Sequence, residues 1–116
     1  ATKAQYYAKN EGTVYGKILI ACPLEWKSEE IIGLEIIQAA TDCCFFPLYE
    51  VEHGVTTISY DPEEKGKKVP VNEWLKLMGK TKHLGKPEYK DVLASLQKEV
   101  DRRWERLKAM AANPLL

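Results

Sequence analysis

The sequence predicts a mixed α/β protein that forms part of a larger fold, and three observations lead to this prediction. Residues 16–22 carry a run of aliphatic side chains typical of a buried strand, and the run ends at Cys22-Pro23, because proline cannot donate a ladder hydrogen bond. Two stretches rich in β-branched and aromatic residues flank His53-Gly54, which indicates a β-hairpin. Near the C-terminus an apolar stripe recurs every three or four residues, which indicates a helix. A lone parallel strand and one hairpin cannot complete a sheet, so the missing strands should come from preceding sequence or from partner chains.

Composition limits the class of protein. The chain has 116 residues, with 17 lysines and arginines against 17 acidic residues, so its formal net charge is zero. A general nucleic-acid binder needs a basic surface, which this balance argues against. No apolar run reaches the length of a membrane span, and no signal peptide is visible. We therefore expect neither nucleic acid nor membrane as a partner. Three cysteines, two of them adjacent, are not a disulfide framework, so we expect a reducing, cytoplasmic location.

The first part of the chain should hold two helices, one on each side of the predicted strand. Residues 2–9 have helical composition, and Gly12 suits the left-handed position that follows a helix. The second helix should begin at Ser28, a favourable N-cap, and run to about Asp42 with a broad apolar face. Gly33 costs about 1 kcal/mol inside a helix relative to alanine, and a close contact with the sheet would explain its presence.

The remaining elements are a hairpin, a short helix and a long helix. Residues 46–52 and 55–60 are the predicted hairpin strands, and apolar side chains on both faces imply that both faces are covered. A short helix is predicted at 71–78, and Pro87 opens a last helix that Asn113-Pro114 ends. The apolar positions follow helical spacing: Val71, Trp74, Leu75 and Met78 in the short helix, and Val92, Leu93, Leu96, Val100, Trp104, Leu107 and Ala111 in the long one.

Cys22 is the residue whose position suggests chemistry. It lies at the C-terminal tip of the predicted strand, and in open α/β sheets ligands and cofactors gather outside the carboxyl ends of the strands. A lone cysteine beside aliphatic residues is more often a small buried hydrophobe. One cysteine is also not a metal site, because an iron–sulfur cubane takes four thiolates and structural zinc takes four ligands. From spacing alone, both interpretations stay open.

The other candidate residues have simpler interpretations. Cys43-Cys44 ends a helix beside two phenylalanines, so we expect buried packing, and a bridge between neighbouring cysteines would strain the peptide. His53 and His83 lack ligand spacing and should be surface or turn residues. Glu50 and Glu52 share one face of a strand, but no partner suggests proton transfer.

Two sets of residues can serve either in the fold or at an interface. A basic stretch is ordinarily a solvated face, and the alternative is contact with an acidic protein or a neighbouring subunit. Here the stretch comprises Lys76, Lys80, Lys82 and Lys86. The tryptophans are expected to be core or interface anchors rather than residues that stack on a cofactor: Trp26, Trp74 and Trp104.

Four stretches of the sequence match, in order and spacing, the motifs of one protein family. Residues 22–26 read Cys-Pro-Leu-Glu-Trp, which is similar to the family's Pro-Cys-Pro-Thr-Gly-Trp, and residues 46–54 differ at a single position from its Phe-Pro-Leu-Tyr-Glu-Val-Glu-Asn-Gly. Residues 71–84 are similar to its Val-x-Glu-Tyr-Leu-x-x-Gln-Gly-Arg-x-x-x-Leu, and residues 101–107 to its closing Asp-x-Arg-Trp-x-x-Leu. Over 12–107 the sequence thus resembles the thiamine-diphosphate-binding (beta) subunit of 2-oxoacid:ferredoxin oxidoreductases, most of all the pyruvate enzyme (pyruvate synthase).

The resemblance implies a fold and an enzyme. Residues 1–44 would be the end of the thiamine-diphosphate-binding α/β domain, with its last parallel strand, a helix and the Cys22 loop. Residues 45–116 would be a C-terminal extension made of the hairpin and a helical arm. The parent assembly would oxidatively decarboxylate a 2-oxoacid, pyruvate in the first place, with coenzyme A as acyl acceptor and ferredoxin as electron acceptor.

By the same resemblance, Cys22 would be the last of four ligands to the [4Fe-4S] cluster nearest the thiamine, and the other three would lie upstream of this chain. Two departures from the family pattern occur here: Ala21 replaces the first proline, and Leu24-Glu25 replaces Thr-Gly.

The family's thiamine-diphosphate and magnesium motif does not occur in this chain, nor does its Cys-x-x-Cys pair. Thiamine diphosphate and magnesium would therefore be bound elsewhere in the assembly, and the isolated chain is not expected to be active. A protein of another class, a structural or interaction module without a redox role, is the alternative.

Overall fold

The computed structural model describes the whole chain, Ala1–Leu116. It contains five α-helices and one two-stranded antiparallel sheet, so the predicted mixture of helices and strands is confirmed. None of the helices combines the length and the apolar character needed to cross a membrane. The elements in chain order are α1 (Thr2–Asn10), α2 (Pro23–Trp26), α3 (Gly33–Asp42), β1 (Leu48–Glu52), β2 (Val55–Tyr60), α4 (Asn72–Leu75) and α5 (Lys90–Ala112). Short 3₁₀ turns lie at Glu30–Ile32, Lys82–Gly85 and Pro87–Tyr89.

The strand predicted at residues 16–22 is not formed, so that prediction is wrong for this structure. Residues 13–22 have no regular secondary structure, and Ile18 and Ile20 are 85% and 69% exposed. No other strand lies beside this segment, so its backbone groups have no ladder to join. Leu19, between the two isoleucines, packs against the core, so the segment lies along the domain without pairing.

Helix α3 begins later than predicted. Ser28 does not cap it, because a 3₁₀ turn intervenes before the helix and the Ser28 Oγ accepts no hydrogen bond. Gly33 is the first residue of α3 rather than an interior one. A Cβ at Gly33 would lie 3.3 Å from the Cβ of Ala21. The close contact predicted for this glycine therefore exists, but its partner is the segment before Cys22 and not a sheet.

The predicted hairpin is confirmed, with a first strand that starts at Leu48 instead of residue 46. His53 and Gly54 form its two-residue turn with φ values of 50° and 79°, and positive φ at both positions is the mark of a type I′ turn. An irregularity between Leu48 and Tyr49 shifts the register at the start of β1. The hairpin packs through β2 against α5, which places it on the same core as the helices.

The core lies between α3, α4 and α5, with β2 beside it. The short helix predicted at 71–78 is confirmed as α4 with its flanking turns, and all four of its predicted apolar positions are buried. Helix α5 ends at Ala112, as Asn113-Pro114 predicted, and its buried positions lie between Val100 and Leu107, whereas Val92 is 53% exposed. The buried core residues are Ile36, Ala40, Cys43, Cys44, Val71, Trp74, Leu75, Met78, Val100, Trp104 and Leu107.

Candidate functional site

Cys22 lies immediately before α2, in a tight turn that we call the Cys22 loop (residues 22–28). Its backbone is extended, with φ −124° and ψ 99°, and Pro23 occupies the first position of α2. Proline suits that position because its φ is fixed and its missing N–H would have no partner there. The Trp26 N–H donates to the Cys22 carbonyl at 2.9 Å, and Lys27 then ends the helix in the left-handed conformation, with φ 50°. The backbone that carries the thiol is therefore held on its C-terminal side by local geometry.

The Cys22 thiol differs in its surroundings from the two other thiols of the chain. Cys22 is partly exposed and free, whereas Cys43 and Cys44 are 0% and 3% exposed, as their predicted packing role requires. Burial raises the pKa of Cys43 to about 11 and that of Cys44 to about 12. A metal ligand must be a thiolate, so the buried pair is poorly suited to bind metal near neutral pH. Cys22 is less buried than either of them.

The donor set fits one ligand of a cluster and not a whole site. No group of three or more His, Cys, Asp or Glu side chains in this structure is placed so that it could hold a metal ion. A [4Fe-4S] cluster takes four thiolates, so Cys22 can serve only if the other three come from outside the chain. A free, partly exposed thiol on a restrained turn meets that requirement for a single thiolate.

The Cys22 loop packs against the turn that follows α4. The Gly79 N–H donates to the Lys27 carbonyl at 2.9 Å, and the Lys80 side chain pairs with Glu25 at 2.6 Å. The hydrogen bond from Lys80 lowers the pKa of Glu25, so the acid stays ionised at neutral pH. Trp26 meets Trp74 edge to face, with 6.4 Å between the ring centroids. Sequence reasoning did not find this contact, although Gly79 belongs to one of the stretches that resemble the family.

The acidic pair of β1 belongs to a surface network with α1. The Lys3 ammonium lies 2.8 Å from Glu50 and 2.5 Å from Glu52, and the Tyr7 hydroxyl donates to Glu52. This last hydrogen bond raises the pKa of Tyr7 to about 12, while the hydrogen bond from Lys3 lowers the pKa of Glu52. An acid held ionised beside a cation has no proton to give at neutral pH. The network therefore attaches α1 to the hairpin and does not suggest proton transfer.

The histidines and tryptophans take the positions predicted for them. His53 lies in the hairpin turn and His83 in a 3₁₀ turn, and both are exposed. Trp74 and Trp104 are buried core residues, and Trp26 is partly buried against the same core.

The basic stretch is partly neutralised within the chain. Lys76 pairs with Glu73, and Lys80 pairs with Glu25, while all four of its lysines are exposed. A solvated face is the interpretation that this arrangement favours.

Comparison with known proteins gives one consistent result. The chain is 36% identical to the pyruvate synthase subunit PorB of Thermotoga maritima across 84% of its own length and 29% of that subunit. It is 34% identical to the ketoisovalerate oxidoreductase subunit VorB of Pyrococcus furiosus across 89% of its length and 32% of that subunit. It is 31% identical to PorB of the same organism across 97% of its length and 38% of that subunit. No protein-family model matches the chain, and no solved structure does.

The relatives are therefore subunits of enzymes that act on 2-oxoacids. Over the segment that it spans, this chain is homologous to the beta subunits of 2-oxoacid:ferredoxin oxidoreductases, which confirms the resemblance read from its motifs. The chain spans about a third of the length of the curated relatives it matches.

Proposed function

We propose that this chain is a part of a 2-oxoacid:ferredoxin oxidoreductase that supplies one cluster thiolate and contacts to the rest of the assembly. The observation that carries the proposal is the similarity to PorB and VorB subunits over most of the chain. The proposed reaction is the oxidative decarboxylation of a 2-oxoacid to an acyl-coenzyme A. Pyruvate is the first substrate to test, because the relative at 36% identity is a pyruvate synthase subunit.

The role proposed for Cys22 follows from its chemistry and its restraint. When deprotonated, its sulfur is a soft ligand that suits iron, and the turn before α2 limits how far it can move. A [4Fe-4S] cluster bound there would carry single electrons from the oxidised substrate toward ferredoxin. Thiamine diphosphate, magnesium and coenzyme A would be bound by parts of the assembly outside this chain.

The finer fold assignment also belongs to this proposal. Residues 16–22 would join the sheet of a thiamine-diphosphate-binding domain as its last parallel strand once a neighbouring strand is present to pair with them. The alternation of exposed Ile18 and Ile20 with packed Leu19 is compatible with this, since strand side chains alternate between faces. The division into an α/β portion at 1–44 and an extension at 45–116 stays a prediction.

The alternative is an interaction module without a redox role, and one observation is consistent with it. Several large apolar side chains are more than four-fifths exposed, which is typical of a surface that another protein covers: Tyr15, Ile18, Leu24, Ile31 and Leu34. Such a surface is equally required of a subunit in the proposed enzyme. The two functions differ in whether Cys22 holds iron.

The experiment is a Cys22→Ser substitution in the complete, purified assembly. Serine keeps the size of the side chain but replaces a soft thiolate with a hard, weakly acidic hydroxyl, so we expect loss of one cluster and slower electron transfer to ferredoxin. Iron content and the electron paramagnetic resonance spectrum of the reduced assembly measure the loss. Thiamine-diphosphate binding should change less, because its residues lie elsewhere.

Cys43→Ser is the matched control, since its thiol is enclosed in the core and should hold no iron. An assembly that keeps its full iron content after Cys22→Ser would contradict the proposed ligand. A wild-type assembly that holds no iron with every subunit present would favour the interaction module.

A further inference from the structure

We infer that Gly79 is a positioning residue for Cys22, because only a residue without a side chain lets the turn after α4 hold the Cys22 loop. The inference rests on the proposed function, in which the Cys22 thiolate binds a cluster. It adds a second residue to that site, far from the cysteine in sequence and with no metal-binding atom of its own.

The first step is steric. A Cβ built on Gly79 would lie 2.7 Å from the Lys27 carbonyl oxygen and 2.9 Å from the Lys27 Cβ. Both distances are far inside van der Waals contact, and the nearer atom is backbone, which cannot rotate away. Gly79 does not adopt positive φ, so the backbone conformation alone does not require glycine here. The close approach of the loop is what requires it.

The second step is the hydrogen bonding that fixes this approach. The Gly79 N–H donates to the same Lys27 carbonyl at 2.9 Å, and the Lys80 N–H donates to the Trp26 carbonyl at 3.4 Å. Two neighbouring N–H groups of the turn after α4 therefore bind two neighbouring carbonyls at the C-terminal end of α2. The Lys80–Glu25 ion pair lies on the surface of the same contact.

The turn after α4 is held firmly by the core and by its own hydrogen bonds. Leu75 and Met78 are 4% exposed in the core, and the Thr81 hydroxyl donates to the Leu75 carbonyl at 2.8 Å. The N–H of Lys82 donates to the Met78 carbonyl at 2.9 Å. A side chain added at Gly79 therefore displaces the Cys22 loop, which is the less buried partner.

Helix α2 connects Lys27 to the residue that carries the thiol. Lys27 is held at φ 50° and closes α2, whose Trp26 N–H bonds the Cys22 carbonyl. The loop is one hydrogen-bonded turn, so a shift at Lys27 passes to the cysteine within one turn of helix. Groups that orient a metal ligand typically change metal affinity about 10- to 100-fold when they are altered.

The test is Gly79→Ala in the complete assembly. We expect iron to be lost to a chelator roughly tenfold faster than from the wild type, in line with other groups that orient metal ligands. We also expect an altered electron paramagnetic resonance spectrum of the reduced cluster. A merely structural role would change the melting temperature without changing the spectrum.

The matched control is Gly85→Ala. Gly85 also has no positive φ, and a Cβ there would meet its nearest atom, the Asn72 Oδ1, at an ordinary 3.6 Å. This variant should retain both the wild-type spectrum and the wild-type rate of iron release. If Gly79→Ala behaves like Gly85→Ala, the inference is wrong.

Three further outcomes are decisive. Should Gly79→Ala fail to assemble, adding Lys27→Gly removes the side-chain half of the clash and frees the backbone at residue 27. Iron content must then recover at least in part, and no recovery overturns the inference. If Cys22→Ser keeps its cluster, the proposed function fails, whereas loss of the cluster in Cys22→Ser with an unaffected Gly79→Ala overturns the positioning role alone.

Discussion

At the scale of single residues, burial separates the three cysteines into two chemical classes. Cys43 and Cys44 are enclosed in the core, and Cys44 also adopts a positive φ of 63° at the end of α3. Cys22 lies in a restrained turn, is partly exposed and is free. The three cysteine side chains therefore differ in reactivity, because solvent access and desolvation decide how readily a thiolate forms.

We predict that, in the iron-free folded chain, an alkylating reagent modifies Cys22 much faster than Cys43 and Cys44. Burial raises the pKa values of the buried pair from 9.0 to about 11 and about 12, so both stay protonated and shielded at pH 8. Mass spectrometry after timed labelling measures the three rates. In denaturant all three should react at similar rates, and fast native labelling of Cys43 would contradict the predicted order.

The same shifts predict a loss of stability at alkaline pH. The folded pKa values of the buried thiols lie above the ordinary 9.0, so their contribution is complete below about pH 9 and is lost as the pH rises toward 11 and 12. Unfolding monitored between pH 8 and pH 11, with Cys43→Ala as the comparison, measures this. A wild-type slope no steeper than that of Cys43→Ala would contradict the assignment.

At the scale of elements, the hairpin depends on its own turn and the predicted strand depends on absent neighbours. His53-Gly54 supplies the two positive φ values that a type I′ turn requires, so β1 and β2 pair within one short stretch. Residues 13–22 have strand composition but no partner, and they stay irregular. Composition alone does not make a strand, because its hydrogen bonds must come from another segment.

We predict that Gly54→Ala destabilises the hairpin by about 1–2 kcal/mol, the cost of holding a residue with a Cβ in a left-handed conformation. Its φ of 79° leaves alanine strained although the space around it is open. Hydrogen exchange of the β1 and β2 amides should then be faster by roughly 5- to 30-fold, which corresponds to that energy. Gly16→Ala is the control, because it has neither positive φ nor a close neighbour, and equal exchange in both variants would refute the prediction.

At the scale of the whole molecule, the chain has a single core and a large uncovered apolar surface. The buried cluster joins α3, α4 and α5, whereas the apolar side chains of residues 14–34 face solvent in large part. Surfaces of this kind are rare on monomers that work alone. The proposed place of the chain inside a larger oxidoreductase explains why the surface exists.

We predict that residues 1–116 expressed alone are poorly soluble or oligomeric, because association removes exposed aliphatic side chains from water and is therefore favourable. Size-exclusion chromatography with light scattering measures the assembly state. Replacing Ile31 and Leu34, which are 88% and 84% exposed, with lysine should shift the population toward monomer without unfolding α5. A monodisperse wild-type monomer with a cooperative melting transition would count against this prediction.

The sequence by itself determined the features whose causes are local. The hairpin follows from the turn chemistry of His53-Gly54, and the last helix from an apolar stripe between Pro87 and Asn113. The order of the residues also determined the relationship to 2-oxoacid oxidoreductase subunits, and that relationship is what made Cys22 a candidate ligand. The hairpin and the helix each depend on residues close together in the chain, and the relationship depends only on the order of residues, so no knowledge of distant contacts was needed.

Only the tertiary structure decided the features that depend on distant contacts. It left residues 13–22 unpaired, because a strand needs a partner that local sequence cannot supply. It placed the start of α3 at Gly33, past Ser28, because a 3₁₀ turn at Glu30–Ile32 intervenes between the Cys22 loop and the helix. It also brought Gly79 against Lys27. No periodic pattern in the sequence predicts this contact, because packing between separate elements is set by the whole core.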